Sequence, residues 1–408
     1  MAKKGDVVVG LDIGTTKICA IVGEKTQTGI DIVGIGSSHS TGLKKGVVIN
    51  IDSTVESIKK AVEEAELMAG TEISSVYCGI SGGHIKGLNS HGIVAVKDKE
   101  VREMDVRRVL DAAKAIAIPL DREVIHIIPQ EYVVDHQGGI KDPLGMSGVR
   151  LEAKVHIVTG AVSSAQNIIK CANRTGLNVS DIVLQQIASS EAVLSPDEKE
   201  LGVALVDIGG GTTDIAIFSN GSIVHTAVLS LGGNHITNDL AVGLRTASQD
   251  AEKLKINYGC AMASMVNRDE KVEVQTVGQK HSRSYSKRTI SEIIEPRVEE
   301  IFSLVQKEII KSGHEDLLAS GIVITGGSTL LKGMTELAEM IFDLPVKRSV
   351  PKGFGGILDI VSSPMYSTGV GLVLYGAKDH QNVKFKIREK NIYRKVKSRM
   401  MDWITEIF

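Results

Sequence analysis

Two short stretches carry residue types suited to phosphate and a cation. One is Asp207–Asp214, DIGGGTTD; the other is Asp12–Lys17, DIGTTK. Gly209, Gly210 and Gly211 let the backbone turn with no Cβ in the way and approach a ligand closely. Such a turn collects N–H groups on one side as an anion nest. The hydroxyls of Thr212 and Thr213 add donors, and Gly14, Thr15, Thr16 and Lys17 offer the same design again. The carboxylates of Asp12, Asp207 and Asp214 would repel a bare phosphate. They make sense with a cation between, most simply hydrated Mg2+ held largely through its waters. An ordinary hairpin needs one or two turn glycines, not three with two acids and two hydroxyls.

The elements around these turns read as strands. Val203–Val206 is continuously apolar, as a strand buried on both faces should be, and Ile215–Phe218 closes the hairpin. Val7–Leu11 and Ile18–Val22 flank the earlier turn in the same way. The two units lie about two hundred residues apart, which suggests two similar domains facing one another. A third Gly-rich turn, Gly326-Gly327-Ser328, follows the apolar run Ile322–Ile324 and leads into a helical pattern. Its N–H groups can hold the adenosine or α-phosphate end of a nucleotide. Gly232 and Gly233 precede another helix, 236–244, whose N-terminus again favours phosphate.

The composition is that of a globular protein large enough for two or more cores: 408 residues, 42% apolar, 24% charged, formal net charge −2. Near-neutral charge and 3% aromatics argue against nucleic acid as a partner. Cys19, Cys78, Cys171 and Cys260 are scattered and read as thiols in a reducing cytoplasm. No stretch approaches eighteen apolar residues, so no transmembrane span is expected. Gly34-Ile-Gly36 is a broken dinucleotide fingerprint and is set aside.

Along the chain, 29–36 reads as a strand and 52–68 as a helix capped by Asp52 or Ser53 and ended by Gly70. Strand 75–80 follows. Between 83 and about 160 the pattern changes to a small α/β unit: strand 91–97, helix 105–117, strands 123–129, 131–135 and 151–159, and a Gly/Pro-rich loop 137–148. On 246–259, Ser248 can cap a helix on which Glu252 and Lys255 share a face, as a site pair or a surface ion pair. A basic turn, 281–288, precedes a long helix, 289–310.

These motifs, in this order, resemble the superfamily of actin, heat-shock-chaperone and sugar-kinase ATPases: phosphate 1 at Asp12–Lys17, connect 1 near Val183–Val193, phosphate 2 at Asp207–Asp214, adenosine at Ile324–Leu330 and connect 2 near Pro364–Tyr375. Within it, nearly the whole length looks like the FtsA family of bacterial cell-division proteins. The resemblance implies an actin-like α/β fold, two RNase H-like halves around a nucleotide cleft. Subdomain 1A would take 1–82, 161–200 and 360–378; an inserted SHS2-like domain 1C, 83–160; 2A, 201–231 and 298–359; 2B, 232–297; a linker, 379–390; and a membrane-targeting helix, 391–408.

It also implies ATP and Mg2+ as cofactors, with Glu252 and Lys255 reaching the ribose and adenine. Gln185 and Gln186 stand near where relatives position a water on the γ-phosphate; a capping or interface glutamine is the alternative. Glutamine orients water but is a poor base, so weak or no ATPase activity is expected. The 2B region would receive the C-terminal tail of FtsZ, with Arg297, Lys287 and Arg288 as its electrostatic part; a basic surface loop without a ligand is the alternative for the last two. The insert would contact neighbouring subunits of the filament and later division proteins, unless it is a lid without a partner.

The tail has its own pattern. Ile392, Val396, Met400, Trp403, Ile404 and Ile407 fall on one helical face, with Phe408 at the end. Arg394, Lys395, Lys397 and Arg399 take the other side. An apolar face with an aromatic and a basic opposite face describes a helix lying in an anionic membrane interface; a docked terminal helix is the alternative. The expected localisation is therefore the cytoplasmic face of the membrane at the division site. Rival readings are a PilM-type pilus-assembly ATPase, against which the tail counts, and a sugar-kinase-like phosphotransferase, for which no catalytic Asp can be placed.

Overall fold

A computed structural model of the chain describes residues 7–27, 29–277 and 282–378. The chain opens with an antiparallel meander of β1 (Val7–Ile13), β2 (Lys17–Thr26) and β3 (Gly29–His39). A small hairpin, β4 (Leu43–Lys44) and β5 (Val47–Val48), leads to α1 (Ile51–Ala69) and β6 (Ser75–Ile80), which runs parallel to β1. Asn50, not Asp52 or Ser53, caps α1: its side chain accepts from Ser53 N at 3.0 Å. Gly70, at φ +64°, closes the helix. The Gly34-Ile-Gly36 stretch has a packing role, since a Cβ on Gly36 would lie 2.5 Å from Ala65 N of α1.

The insert comprises β7 (Lys86–Ala95), α2 (Glu103–Lys114), β8 (Arg122–Val134), β9 (Gln137–Ile140) and β10 (Arg150–Ala161), in sheet order β7-β10-β8-β9. Two strands expected at 123–129 and 131–135 are one. Pro129 does not break it because a register shift opposite Lys154 and Val155 absorbs the residue that cannot donate to the ladder. β9 falls in the stretch read as loop, and β7 and α2 both begin earlier than their apolar patterns suggest.

The first lobe resumes with α3 (Val162–Arg174), β11 (Asn178–Leu184) and α4 (Gln185–Val193). The second lobe follows with α5 (Pro196–Leu201), β12 (Val203–Ile208), β13 (Thr213–Ser219), β14 (Ser222–Leu229), α6 (Gly233–Leu244) and α7 (Ser248–Tyr258). It continues through β15 (Lys271–Val274), β16 (Arg283–Ser286), α8 (Lys287–Ser312), β17 (Ile322–Thr325), α9 (Met334–Phe342) and β18 (Val346–Arg348). The chain then returns to the first lobe through β19 (Gly355–Gly356), α10 (Leu358–Val361) and α11 (Ser367–Ala377).

Three expectations change here. Ser248 is the first residue of α7 rather than its cap, which is Ala247. Lys287 and Arg288 open α8 instead of forming a turn, because Ser286 caps that helix through Thr289 N. The Gly326–Ser328 turn enters a short 3-10 turn, Gly327–Leu330, before α9.

The two large sheets share one topology. The first runs β11-β6-β1-β2-β3-β19 and the second β18-β17-β12-β13-β14. In each, a three-stranded antiparallel meander is extended on one side by two parallel strands, and the first sheet adds the short β19 in parallel beside β3. The repeat visible in the sequence is therefore architectural. Separate apolar clusters fill the first lobe, the second lobe and the insert. Another, with Ile21, Leu205, Ala216 and Val370, lies where the lobes meet. Among the described residues no helix is long and apolar enough to cross a membrane. Linker 379–390 and tail 391–408 lie outside the described residues.

Candidate functional site

The tips of the hairpins β1–β2 and β12–β13 meet across a cleft of about 340 Å3, of a size suited to a small ligand. Each tip is a four-residue loop. Ile13 pairs with Ile18 and Ile208 with Thr213, and Gly14 N donates to Lys17 O at 3.0 Å as Gly209 N does to Thr212 O at 2.9 Å. Counting from these bonds, Thr15 and Thr16 correspond to Gly210 and Gly211, not to Thr212 and Thr213. The threonine pairs that look equivalent in the sequence are offset by two positions. The tips interlock as a result: a Cβ at Gly211 would lie 2.5 Å from Thr15 Oγ1.

The hydroxyls divide by this register. Thr212 donates to Asp214 Oδ2 at 3.0 Å. Thr213, already in the strand, donates to Leu231 O at 2.9 Å and does not line the cleft. Gly232 is likewise behind the lining, packed on the Gly209–Gly210 backbone, while Gly233 reaches the cleft.

Asp12, Asp207 and Asp214 are all buried. Asp12 Oδ1 accepts from Gln185 Nε2 at 3.1 Å and Asp207 Oδ2 from Thr368 Oγ1 at 3.2 Å. Asp214 Oδ1 accepts from Ser81. Burial raises all three carboxyls above the usual range, Asp207 to about 6 and Asp214 to about 7, and repulsion from neighbouring aspartates adds to it for those two. Lys17 is the counter-charge, opposing the rise at Asp12 and Asp207. Its ammonium donates to Met365 O at 2.6 Å and lies 4.1 Å from the centre of the Tyr366 ring. Three buried carboxylates with one lysine fit a divalent cation. Among the described residues no three acidic, His or Cys side chains converge as a set of direct metal ligands.

At the other end, Gly326, Gly327 and Ser328 line the cleft, and Ser328 Oγ donates to Gly209 O at 2.9 Å. Lys255 Nζ donates to Glu252 at 2.7 Å, Thr237 Oγ1 at 2.9 Å and Gly233 O at 3.2 Å. Glu252 and Lys255 thus belong to the cleft wall, beside the apolar side chains Ile256, Leu330 and Leu331. Gln185 lines the cleft, but Gln186 does not. Gln186 is fully buried and donates to Ala227 O at 3.1 Å, because α4 turns successive side chains to different faces. Residues not singled out from the sequence are Met365 and Thr368, which lie in the connect 2 stretch and line the cleft, and Gly46 and Ser81, which carry no local signal because Gly46 reaches the cleft and Ser81 reaches Asp214 only through tertiary contact.

The basic residues expected to receive an acidic tail are already paired. Arg297 holds Asp239 by two bonds, 2.6 and 3.2 Å, and also contacts Glu300. Lys287 pairs with Glu270 and Arg288 with Glu292. Each of the three thus carries an ion pair within the chain.

The family model described as Cell division protein FtsA matches residues 204–371, and that described as the SHS2 domain inserted in FTSA matches 82–159. The cell division protein FtsA of Pseudomonas aeruginosa is 56% identical over 375 residues, 92% of this chain and 90% of its own length. The chain belongs to the FtsA family. Its fold is the actin-like one of that family, with the SHS2 domain inserted in the first lobe. Two solved structures share the architecture. The PilM-PilN type IV pilus biogenesis complex superposes with TM-score 0.65 at 15% identity, covering 91% of this chain and 98% of the other. MreB5 of Spiroplasma citri bound to ADP superposes with TM-score 0.55 at 16% identity, covering 97% and 99%. At these identities the likeness speaks for the fold alone.

Proposed function

We propose that the chain is an ATP- and Mg2+-binding cell-division protein that polymerises, tethers FtsZ filaments to the cytoplasmic face of the membrane at the division site, and recruits later division proteins through its inserted domain. The observation that carries the nucleotide part is the cleft itself, where two glycine hairpins interlock around three buried carboxylates and Lys17. One neighbour of the same fold is described with ADP bound, which supports the same reading. Family membership carries the role in division.

In this reading the backbone N–H groups of Thr15, Thr16 and Lys17 and of Gly210, Gly211 and Thr212 receive the phosphates, with Lys17 as their cation, while those of Gly14 and Gly209 close the loops. A bound Mg2+ would neutralise the phosphates and the carboxylates of Asp12, Asp207 and Asp214 together. Gly326–Ser328 hold the adenosine end, and Glu252 and Lys255 the ribose and base. Gln185, anchored on Asp12, orients a water without accepting its proton, so ATP serves assembly with slow hydrolysis at most. The FtsZ tail docks on 232–297 and there competes with Asp239 and Glu300 for Arg297; Lys287 and Arg288 lie at its edge.

The membrane part rests on the tail pattern, Ile392 to Phe408 with Arg394, Lys395, Lys397 and Arg399 opposite. A single amphipathic helix binds weakly, and polymerisation adds avidity. The test is co-sedimentation with anionic vesicles, with and without Mg2+–ATP, comparing the full chain with one ending after Gly376. Pelleting of the full chain alone, enhanced by nucleotide, is the expected result. Equal solubility of both would overturn the tether.

A further inference from the structure

Asp214 has one partner from its own hairpin and one from the other lobe. Thr212 donates to its Oδ2 and Ser81 to its Oδ1. Ser81 is buried, 133 residues away in sequence, and directly follows β6, where the chain leaves the first lobe for the insert. The next residues are also wired to the cleft. Gly82 packs on Gly46, whose N–H donates to Thr15 Oγ1 at 3.0 Å. Ala161 N, on the returning strand, donates to His84 Nδ1 at 3.3 Å and ties exit to return. Both hairpins therefore touch the root of the insert, one through Ser81 and the other through Gly46.

The insert has a second attachment farther out, on β14 of the second lobe. His156 Nε2 and Thr226 Oγ1 are 2.8 Å apart in a buried bond. Asn89 donates to Val224 O at 3.1 Å and Gln130 to Ile223 O at 3.0 Å. The insert thus straddles the two lobes that form the cleft. A ligand shifts a conformational equilibrium only by its differential contacts, and the resulting coupling is reciprocal. The Ser81–Asp214 bond is such a contact, because a cation's water shell draws on the same carboxylate.

We propose that Ser81 is a positioning residue for Asp214, and that through this bond the occupancy of the cleft governs how the inserted domain is held between the lobes. The inference rests on the reading of the cleft as a Mg2+–ATP site. It identifies a residue outside the phosphate hairpins as part of the site, and it makes the insert's posture a report of what is bound.

The test uses the full chain with Ser81→Ala, Ser81→Thr and Thr226→Val. Two quantities are measured: the Mg2+ concentration for half-maximal binding of a fluorescent ATP analogue, and hydrogen exchange of 86–95 and 150–161 with and without Mg2+–ATP. In the wild type, Mg2+–ATP is expected to change exchange in the insert. Loss of a hydroxyl bond to a carboxylate should raise the Mg2+ requirement of Ser81→Ala about tenfold and abolish the insert's response; Ser81→Thr should restore both. Thr226→Val touches no cleft residue, yet reciprocity requires a several-fold change in Mg2+–ATP affinity, and it decides the matter if Ser81→Ala fails to fold. Unchanged Mg2+ requirement in Ser81→Ala, or unchanged affinity in Thr226→Val, overturns the proposal. A wild type that binds no Mg2+–ATP overturns the nucleotide reading itself, before any variant is compared.

Discussion

Thr16 of the first lobe fills the space in front of Gly210 of the second: a Cβ at position 210 would lie 2.8 Å from Thr16 Oγ1 and closer still to its methyl. The two tips approach so tightly because one brings side chains where the other brings none. Gly210→Ala should therefore push the lobes apart, with an overpacking cost of about 1–3 kcal/mol and weaker nucleotide binding. Thr16→Ala on top of it should recover part of the loss. Thermal unfolding of the four members of the cycle checks this, and strict additivity would refute the contact.

The carboxylates make ligand-free stability depend on pH. Asp207 and Asp214 have folded values of about 6 and 7, above the ordinary 3.8 of an unfolded aspartate. Their raised values mean that the folded protein binds protons more tightly. The associated stability is complete below about pH 4 and lost as pH rises to about 7. Without Mg2+, the melting temperature should fall across that window, and Asp214→Asn should flatten the fall. Added Mg2+ should stabilise more at pH 7.5 than at pH 5. A profile unaltered in the variant would contradict the assignment.

Lys17 has two tasks, as the cation of the carboxylate cluster and as a donor to Met365 O. Lys17→Met keeps the length of the side chain and removes the charge. ATP affinity should drop about 10- to 100-fold, the range expected for a lost charge-assisted bond. Equilibrium titration with a fluorescent nucleotide measures it; an affinity within twofold of wild type would remove Lys17 from the site.

Arg297→Glu would set a third carboxylate against Asp239 and Glu300. Arg297 and Asp239 are both about a quarter exposed, at 27% each. The loss should be about 1–2 kcal/mol, between exposed and buried pairs. Asp239→Arg in the same chain should restore stability. Denaturant melts of single and double variants settle whether a defect in peptide binding at Arg297 is a defect of folding.

The local chemistry of this protein is written in the sequence by itself. Apolar runs ending in Asp-Ile-Gly announce two hairpins, because a buried strand and a glycine turn are decided by neighbours in the chain. The family motifs fix their order and hence the fold. Boundaries were less legible where tertiary pairing overrides a local breaker, as at Pro129 inside β8. The tertiary structure decided what depends on residues far apart. It set the offset of Thr15-Thr16 against Thr212-Thr213, since equivalence follows the closing bond of each loop and not the letters. It turned Gln185 to the cleft and Gln186 away from it, and gave Arg297 to Asp239, 58 residues away. It also brought Ser81 to Asp214. No spacing or periodicity encodes that contact, because a lone serine after a strand acquires a role only when two lobes close around it.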